Sequence, residues 1–485
     1  MKKVLFNLMV CFLAGCALGP DYKKPEITVP AEFRQATSAD AELGNRWQPV
    51  DRLRTANDSR PWWERWWGLP ADHELAQWLL QVEKANPNVE LLTAQYRQAD
   101  ALLSAARAPW WPSLSTTVSS SRGQGVVGTT GGVTTGGAVR VTDKVSAATS
   151  WEVDLWGRIS RGVESNEAAL AASAADLKAA ILSAQIAFAQ AYFQWQANHG
   201  QQDLLNQTVS AYTRTLGITR SRYEAGVAPR TDVLQAETQL NTARAQYLDL
   251  SIQQGQLEHA MAVLVGKAPA EFSVPTTSDL PPLPNLPAIL PAQLLLARPD
   301  VAAAERRVAA ANAQIGVAQA VFFPTFSLGG SLGYQDNTFR DIISAPNRFW
   351  SFGPSVALTL FDGGARSAAK AQAEATHAQK TAVYRQTVLT AFQEVEDQLL
   401  TLRVLAAEEE VQAASVSGVS QGLQITEHQY KAGTVAYLNV TASQATALAA
   451  QRSLLDIKLR RSLAGLALVK AVGGQMSSGV NNTNQ

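Results

Sequence analysis

The chain contains two copies of one long segment, and this repeat constrains its fold more than any other feature. Residues 85–89, Ala-Asn-Pro-Asn-Val, return as Ala-Arg-Pro-Asp-Val at 297–301. The turn sequence Tyr-Glu-Ala-Gly-Val that begins at Tyr223 returns as Tyr-Lys-Ala-Gly-Thr at Tyr430. Because the matching segments keep their order, we predict a tandem duplication in which each copy is one long supersecondary unit.

The amino terminus is typical of a bacterial lipoprotein. Lys2 and Lys3 precede an apolar run that is too short to span a bilayer and ends in Leu-Ala-Gly-Cys at Cys16. These four residues match the lipobox, so we predict a signal peptide at 1–15 and a covalent lipid on Cys16. The alternative is an ordinary signal peptide with an incidental cysteine. Since one acyl anchor binds membranes only marginally, we expect a second membrane-binding element.

Composition excludes several classes of protein. The chain has 41 Lys and Arg against 41 Asp and Glu, and this zero net charge disfavours nucleic-acid binding. Both cysteines, Cys11 and Cys16, lie at the amino terminus, so the mature chain has no disulfide framework. The five histidines form no metal-ligand spacing, and no nucleophile lies near a base in the sequence. We predict no enzyme, no metal site and no cofactor besides the lipid.

Alternating sequence predicts two pairs of β-strands at equivalent places in the two repeats. They are expected near 113–122 and 143–155 in the first repeat, and near 325–335 and 350–361 in the second. In the second strand the odd positions from Val145 to Leu155 are mostly apolar, whereas the even positions are mostly polar. No run of about 18 apolar residues follows the leader, so we expect any spanning part to be made of strands. A soluble sandwich would show the same alternation.

Four strands are too few to close a membrane barrel, which needs about eight. An open sheet edge is not viable in lipid. If the chain spans a membrane it must therefore assemble, and a trimer would supply twelve strands.

The rest of each repeat is predicted to be long helices. After Gly157 the chain runs without a proline beyond Tyr223, and its apolar residues recur at coiled-coil spacing, as at Leu177, Ile181 and Phe188. At 1.5 Å per residue, such a helix would reach on the order of 100 Å. A soluble helical bundle would explain these heptads equally well.

The predicted domain order follows from these features. A lipidated arm occupies 16–84, the first repeat 85–274, a proline-rich linker 275–297, the second repeat 298–474 and a flexible tail 475–485.

Several of these features together resemble the TolC-type outer-membrane efflux family, in its lipoprotein branch typified by OprM. They are the lipobox, the paired strands beside long helices, the segment Leu-Phe-Asp-Gly-Gly from Leu360, and the two Tyr-x-Ala-Gly turns. The resemblance implies a mixed α and β membrane protein: a trimeric twelve-stranded β-barrel, four strands per chain, continued by a long periplasmic α-helical coiled-coil barrel.

The resemblance also implies a function. It predicts the outer-membrane channel of a tripartite efflux pump in a Gram-negative bacterium, lipid-anchored and extending into the periplasm. This passive duct would export drugs or other small molecules with a periplasmic adaptor protein and an inner-membrane pump, of the resistance-nodulation-division type. The alternative is a structural or adhesive envelope lipoprotein that uses its coiled helices as a spacer.

The two helix turns are the predicted periplasmic gate. Gly226 and Gly433 allow a tight, left-handed bend. In similar proteins, a tyrosine before this glycine and an aspartate after it hold inner coils to outer coils. Carried over by position, Tyr430 and Asp232 would form such a latch. The alternative is that Asp232 caps the helix that it begins.

Four further residues complete the predicted gate. By the same resemblance, Tyr223 and Arg230 lie near the latch. Asn439 stands where relatives often carry an acidic residue, and a ring of asparagines would not select cations as carboxylates do. We therefore predict a less cation-selective tip, with Leu438 as an apolar constriction.

Overall fold

A computed structural model describes residues 18–30, 33–34, 61–70, 72–126, 136–275 and 298–474. The predicted signal peptide, Cys16, residues 276–297 of the linker and the tail 475–485 lie outside the described residues. The chain divides into two compact units. Unit 1 comprises Met1–Glu26, Gln95–Ala174 and Ala303–Tyr384, and unit 2 comprises Ile27–Ala94, Ala175–Ala302 and Arg385–Gln485.

The duplication is visible in the element order and in the helix lengths. In chain order the described helices and strands are α1 (Trp62–Trp67), α2 (Glu74–Ala85), α3 (Pro87–Arg107), β1 (Ser113–Val126), β2 (Gly136–Val153), α4 (Arg158–Glu224), α5 (Arg230–Leu264), α6 (Pro299–Ala320), β3 (Thr325–Asp336), β4 (Arg348–Ala357), α7 (Ala365–Lys431) and α8 (Tyr437–Ala471). Helices α4 and α7 have 67 residues each, and α5 and α8 have 35 each.

The four strands form one antiparallel sheet in the order β1-β2-β3-β4. The first pair is longer than predicted, because β1 continues to Val126 and β2 begins at Gly136 rather than near residue 143. Glycine, which is depleted in strands, occupies positions 123, 125, 136 and 137 of these extensions and hides them, although Val139 and Val141 alternate with Arg140 and Thr142. The fourth strand begins at Arg348 and ends at Ala357, short of the predicted end at 361.

The chain leaves the sheet through two aspartate-capped turns. Asp362 accepts hydrogen bonds from the backbone N–H groups of Gly364 and Arg366, 3.0 Å each, at the start of α7. Asp154 accepts from the N–H groups of Ile159 (3.0 Å) and Ser160 (2.7 Å) at the start of α4. Side-chain oxygens thus accept from some of the free N–H groups at the start of each long helix.

The core of unit 2 is rich in aromatic side chains from α4. Phe188, Tyr192 and Phe193 are each at most 1% exposed. Contrary to the sequence prediction, α4 is long and apolar enough to cross a membrane by length and composition. Only 28% of the residues in that apolar window are buried. Helix α1 adds to this core, with the Trp62 indole N–H donating to Gln185 at 3.0 Å.

The repeated Ala-x-Pro-x-Val motif ties helix ends together within unit 2. In the first repeat the Asn86 amide donates to the carbonyl of Leu264, the last residue of α5, at 2.8 Å. In the second repeat Arg298 donates to the carbonyl of Ala471, the last residue of α8, at 3.0 Å. The prolines that follow stand at the first positions of α3 and α6, where the missing N–H costs nothing.

Candidate functional site at the helix turns

Both helix turns of unit 2 are closed by a glycine in the left-handed region. Gly226 has a φ of 71° and Gly433 a φ of 80°. At the first turn the N–H of Gly226 donates to the carbonyl of Tyr223, and that of Val227 donates to the carbonyl of Arg222, both at 2.9 Å. The second turn repeats the same two bonds. This is a Schellman ending, in which a residue with a Cβ would be strained at the glycine.

Tyr430 is the centre of a small apolar cluster at the second turn. Its side chain is 6% exposed and packs with Ala236, Tyr437 and Val440. The rings of Tyr430 and Tyr437 lie 5.4 Å apart at 56°. The cluster joins residues of α5, α7 and α8, so it holds the second turn against the first repeat.

Arg222, near the end of α4, clamps this cluster. Its Nη1 donates to the Tyr430 carbonyl at 2.7 Å, and its guanidinium carbon lies 4.7 Å from the centre of the Tyr430 ring. A guanidinium on an aromatic face is attracted by the ring quadrupole. The Tyr430 hydroxyl lies 3.5 Å from the Thr219 hydroxyl, so the carbonyl and the hydroxyl of Tyr430 both have a polar partner on α4.

Asp232 is half-buried in the first turn of α5, but it is not the cap of that helix. The cap residue is Pro229, and no side chain caps the helix there. Burial raises the pKa of Asp232, and the positive charge of Arg222 opposes that rise. The described hydrogen bonds that join Tyr430 to another helix go to Thr219 and Arg222, and the Tyr430–Asp232 latch stays a prediction.

The other predicted gate residues lie outside this cluster. Tyr223, the first-repeat counterpart of Tyr430, is 43% exposed, and Leu438 is 61% exposed. Arg230 and Asn439 are also exposed, each in the first turn of its helix. The two turns therefore share a backbone and differ in side-chain packing.

Sequence reasoning missed Arg222, Tyr437 and Thr219. Aligning the two turns on their glycines places Tyr437 opposite Arg230, and Arg222 opposite Gln429. The second repeat thus has an aromatic residue where the first has a charge. This asymmetry was readable from the sequence, but nothing there shows that Arg222 reaches the turn of the other repeat.

Comparison with protein families gives one match that spans both repeats. The model described as "Outer membrane efflux protein" matches residues 78–267 and 290–474. The two matched stretches correspond to the two copies of the duplication.

Curated relatives match the chain over its whole length. The probable efflux pump outer membrane protein TtgC of Pseudomonas putida is 29% identical over 495 residues, which cover 100% of this chain and 98% of that protein. The cation efflux system protein CusC of Escherichia coli is 25% identical, covering 97% of this chain and 98% of that protein.

Solved structures have the same fold. The outer-membrane channel OprN superposes with a TM-score of 0.85 at 28% identity, covering 95% of this chain and 100% of that one. A CusC structure gives a TM-score of 0.82 at 23% identity, covering 95% and 100%. The predicted fold class, a trimeric β-barrel with a long helical barrel, is confirmed by these channels.

Proposed function

The chain belongs to the outer membrane efflux protein family, and from this premise we propose that its two unequal helix turns form the gate of its channel. The protein is the outer-membrane channel component of a tripartite efflux pump of a Gram-negative bacterium. The alternative, a structural or adhesive envelope lipoprotein, is not supported, because the whole-length relatives are efflux proteins.

This proposal rests on a difference between equivalent residues of the two turns: Tyr430 is buried, whereas Tyr223 is exposed. Two turns that served only to reverse the chain would need no contact with each other. Instead, Arg222 of the first repeat holds the turn of the second through a charge-assisted hydrogen bond and a ring contact. Such a contact keeps α7 and α8 against α4, and its release would free the second turn to move.

Arg222 also joins the two halves of the predicted latch. Its charge acts on the half-buried Asp232 while its Nη1 holds the Tyr430 carbonyl. Its Nε is buried and has no hydrogen-bond partner among the described residues. In this gate Arg222 is the centre: it contacts Tyr430 directly, and its positive charge acts on Asp232.

Single-channel conductance of the purified protein in planar bilayers tests the gate. We expect rare, small openings for the wild type and an open-to-closed ratio at least about ten-fold higher for Arg222→Gln, the ratio that corresponds to a loss of 1.4 kcal/mol. Asp232→Ala is expected to act in the same direction. Tyr430→Phe should have a smaller effect, because the ring contact remains and only the 3.5 Å hydroxyl contact is lost.

Arg220→Gln is the matched control for this experiment. Arg220 lies two residues before Arg222 on the same helix, and it forms an exposed ion pair with Glu237 at 2.8 Å. Equal gating in Arg220→Gln and Arg222→Gln would show that loss of any arginine loosens the tip and would refute the clamp. A protein that never conducts, in any variant, would contradict the channel itself.

The proposal extends to cargo and partners. The duct is passive, works as a homotrimer, and receives drugs or other small organic molecules from a resistance-nodulation-division pump through a periplasmic adaptor. Relatives named for toluene and for antibiotic efflux, at 29% identity, support organic cargo over metal cations. The neutral Asn439 fits this choice, since a ring of amides attracts cations less than carboxylates do.

Two further expectations belong to the same proposal. Cys16 carries the lipid that anchors the mature chain, and the lipobox at 13–16 supports this assignment. The chain transports without catalysis, which agrees with relatives named as channels and efflux proteins.

A further inference from the structure

The register of the sheet in unit 1 separates its residues into an apolar face and a small, polar face. Val145 is paired with Tyr334, and Leu332 with Trp350, so apolar residues align across three strands. In membrane barrels, lipid-facing and lumen-facing residues alternate along each strand. The apolar face is therefore the lipid face, and the intervening residues line the lumen.

The lumen-facing residues are mostly small and uncharged. Many carry hydroxyl groups or no side chain at all, and they lie on all four strands, as at Ser115, Ser146, Gly329, Ser331, Ser351 and Gly353. Two serine pairs hydrogen-bond across β3 and β4 at 2.8 Å, so these hydroxyls partly satisfy one another. Such a wall has little charge of its own.

Three charged residues share this face among the described positions, and they are not equivalent. Glu152, near the end of β2 that leads to α4, is neutralised by Arg158 through two hydrogen bonds of 2.9 and 2.6 Å. Arg140 lies where β2 pairs with β1 alone, beyond the first β2–β3 pair at Asp143. Lys144 is the charged residue that remains inside the four-stranded part of the sheet.

Lys144 is held in place by an aromatic ring and has no ion pair among the described residues. Its Nζ lies 4.9 Å from the centre of the Phe349 ring, on the same face of the sheet. The nearby acidic residues Asp143 and Asp336 pair with each other one position further along their strands, so their side chains lie on the opposite face of the sheet from Lys144. Three copies of Lys144 in a trimer would lie at one level of the lumen.

We propose that Lys144 forms a ring of positive charge in an otherwise hydroxyl-lined barrel lumen, and that this ring favours anionic over cationic solutes. Rings of Lys or Arg select anions in pores, and a low-dielectric wall focuses their field. The inference rests on the channel function and adds a specificity-determining residue to it. It is independent of the gate, because it concerns only unit 1.

Cysteine chemistry can measure the potential beside Lys144 directly. The only cysteines, Cys11 and Cys16, lie in the leader and at the lipidation position, so an introduced cysteine is the single free thiol. Ser351 is exposed and is the next lumen-facing residue after Phe349, about 7 Å along the strand. The probe is Ser351→Cys, reacted with anionic sulfonatoethyl and cationic trimethylammonioethyl methanethiosulfonate on trimers in lipid vesicles at low salt.

The expected result is a change in the ratio of the two reaction rates. In Ser351→Cys the anionic reagent should be favoured at least about three-fold more than in the double variant with Lys144→Gln, and added salt should reduce the difference. Lys144→Arg should retain the preference. Arg122→Gln, which removes a charge from the opposite face of β1, should leave the ratio unchanged.

Several outcomes would overturn the inference. An equal rate ratio with Lys144 and with Gln at position 144 would show that this charge does not set the lumen potential. Failure of Ser351→Cys to react, or equal reaction of Trp350→Cys on the apolar face, would refute the assignment of faces. Neither result depends on gating. If either were obtained with a channel that conducts and gates normally, this inference would be refuted and the proposed function would stand.

Discussion

Single glycines in the sheet show that one residue type has different roles within one barrel wall. A Cβ at Gly333 would overlap the carbonyl oxygen of Val145 and the backbone of Ser146, whereas a Cβ at Gly353 would meet nothing within 4 Å. Both glycines share the lumen face and lie on neighbouring strands. The close approach of β2 and β3 therefore requires glycine at position 333, whereas position 353 has room for a Cβ.

We predict that Gly333→Ala destabilises the barrel strongly, because the obstacle is backbone and cannot rotate away. Forcing extra atoms into a packed site typically costs about 1–3 kcal/mol. The measurement is the temperature at which the folded trimer is lost on semi-native gels. Gly353→Ala is the matched control and should melt with the wild type, and equal melting of both variants would contradict the steric argument.

In both repeats, a side chain before the repeated proline donates a hydrogen bond to the end of a returning helix, but the two side chains differ in charge. Asn86 and Arg298 both donate to the last carbonyl of a returning helix, but only Arg298 adds charged partners. Its side chain is 9% exposed and forms ion pairs of 2.6 Å with Asp300 and Glu394. The contact in the second repeat thus depends on the ionisation of Asp300 and Glu394, whereas the contact in the first repeat involves no charged group.

We predict that this tie weakens in acid. Burial alone would raise the pKa of Asp300, but the hydrogen bonds and charge of Arg298 outweigh it and hold that pKa below its ordinary value. A lowered pKa in the folded state means that the stabilisation is complete above the unfolded pKa of about 4 and is lost as pH falls through the folded pKa.

Thermal unfolding of wild type and Asp300→Asn between pH 3 and 7 measures this effect, with the pH range set by the reference carboxyl pKa of about 4. The variant should be less stable than wild type at pH 7, and the two should converge in acid. Asp456→Asn, which removes an exposed pair with Arg460, should show no such convergence. Parallel curves for wild type and Asp300→Asn would refute the tie's pH dependence.

At the scale of the whole molecule, two membrane-binding devices coexist in one chain. The sheet carries an apolar face suited to lipid, and the predicted lipid on Cys16 adds an anchor that is marginal by itself. The first described residues lie on unit 1, where the N–H of Leu18 donates to the carbonyl of Trp156 at 3.2 Å. The barrel rather than the lipid should therefore decide membrane residence.

We predict that Cys16→Ala, expressed behind an ordinary secretory leader, still fractionates with the outer membrane. Twelve strands in a trimer bury far more apolar surface than one acylated terminus does. Membrane flotation followed by a carbonate wash would measure the retained fraction. Release of most of the protein into the periplasmic fraction would show that the lipid, and not the barrel, holds the chain.

Much of the architecture follows from local sequence patterns. Leu177, Ile181 and Phe188 recur at helical spacing, and these positions lie in a helix of 67 residues. Alternation from Val145 onward predicts a strand because period two places one set of side chains in lipid. The extensions of β1 and β2 were missed, since glycine, which is depleted in strands, occupies four of their positions.

The sequence shows where the candidate gate lies in the chain, but not which side chains are in contact there. Tyr-x-Ala-Gly marks both turns, because glycine is the residue that accepts a left-handed φ without strain. The burial of Tyr430, the exposure of Tyr223 and the clamp by Arg222 depend on residues of different repeats meeting in space. No spacing rule encodes such a meeting, as Arg222 and Tyr430 are 208 residues apart in the chain.

The duplication can be read from the sequence alone, because the two halves can be compared directly. The lipobox, the helix and strand periods and the glycine turns can also be read there, because each depends on neighbours within a few residues. The folded structure was needed to show which tyrosine is buried, which arginine clamps it and which face of the sheet carries Lys144. Those outcomes depend on strand register and on contacts between distant helices. In a tandem repeat, two similar sequences can take different partners, and packing alone selects among them.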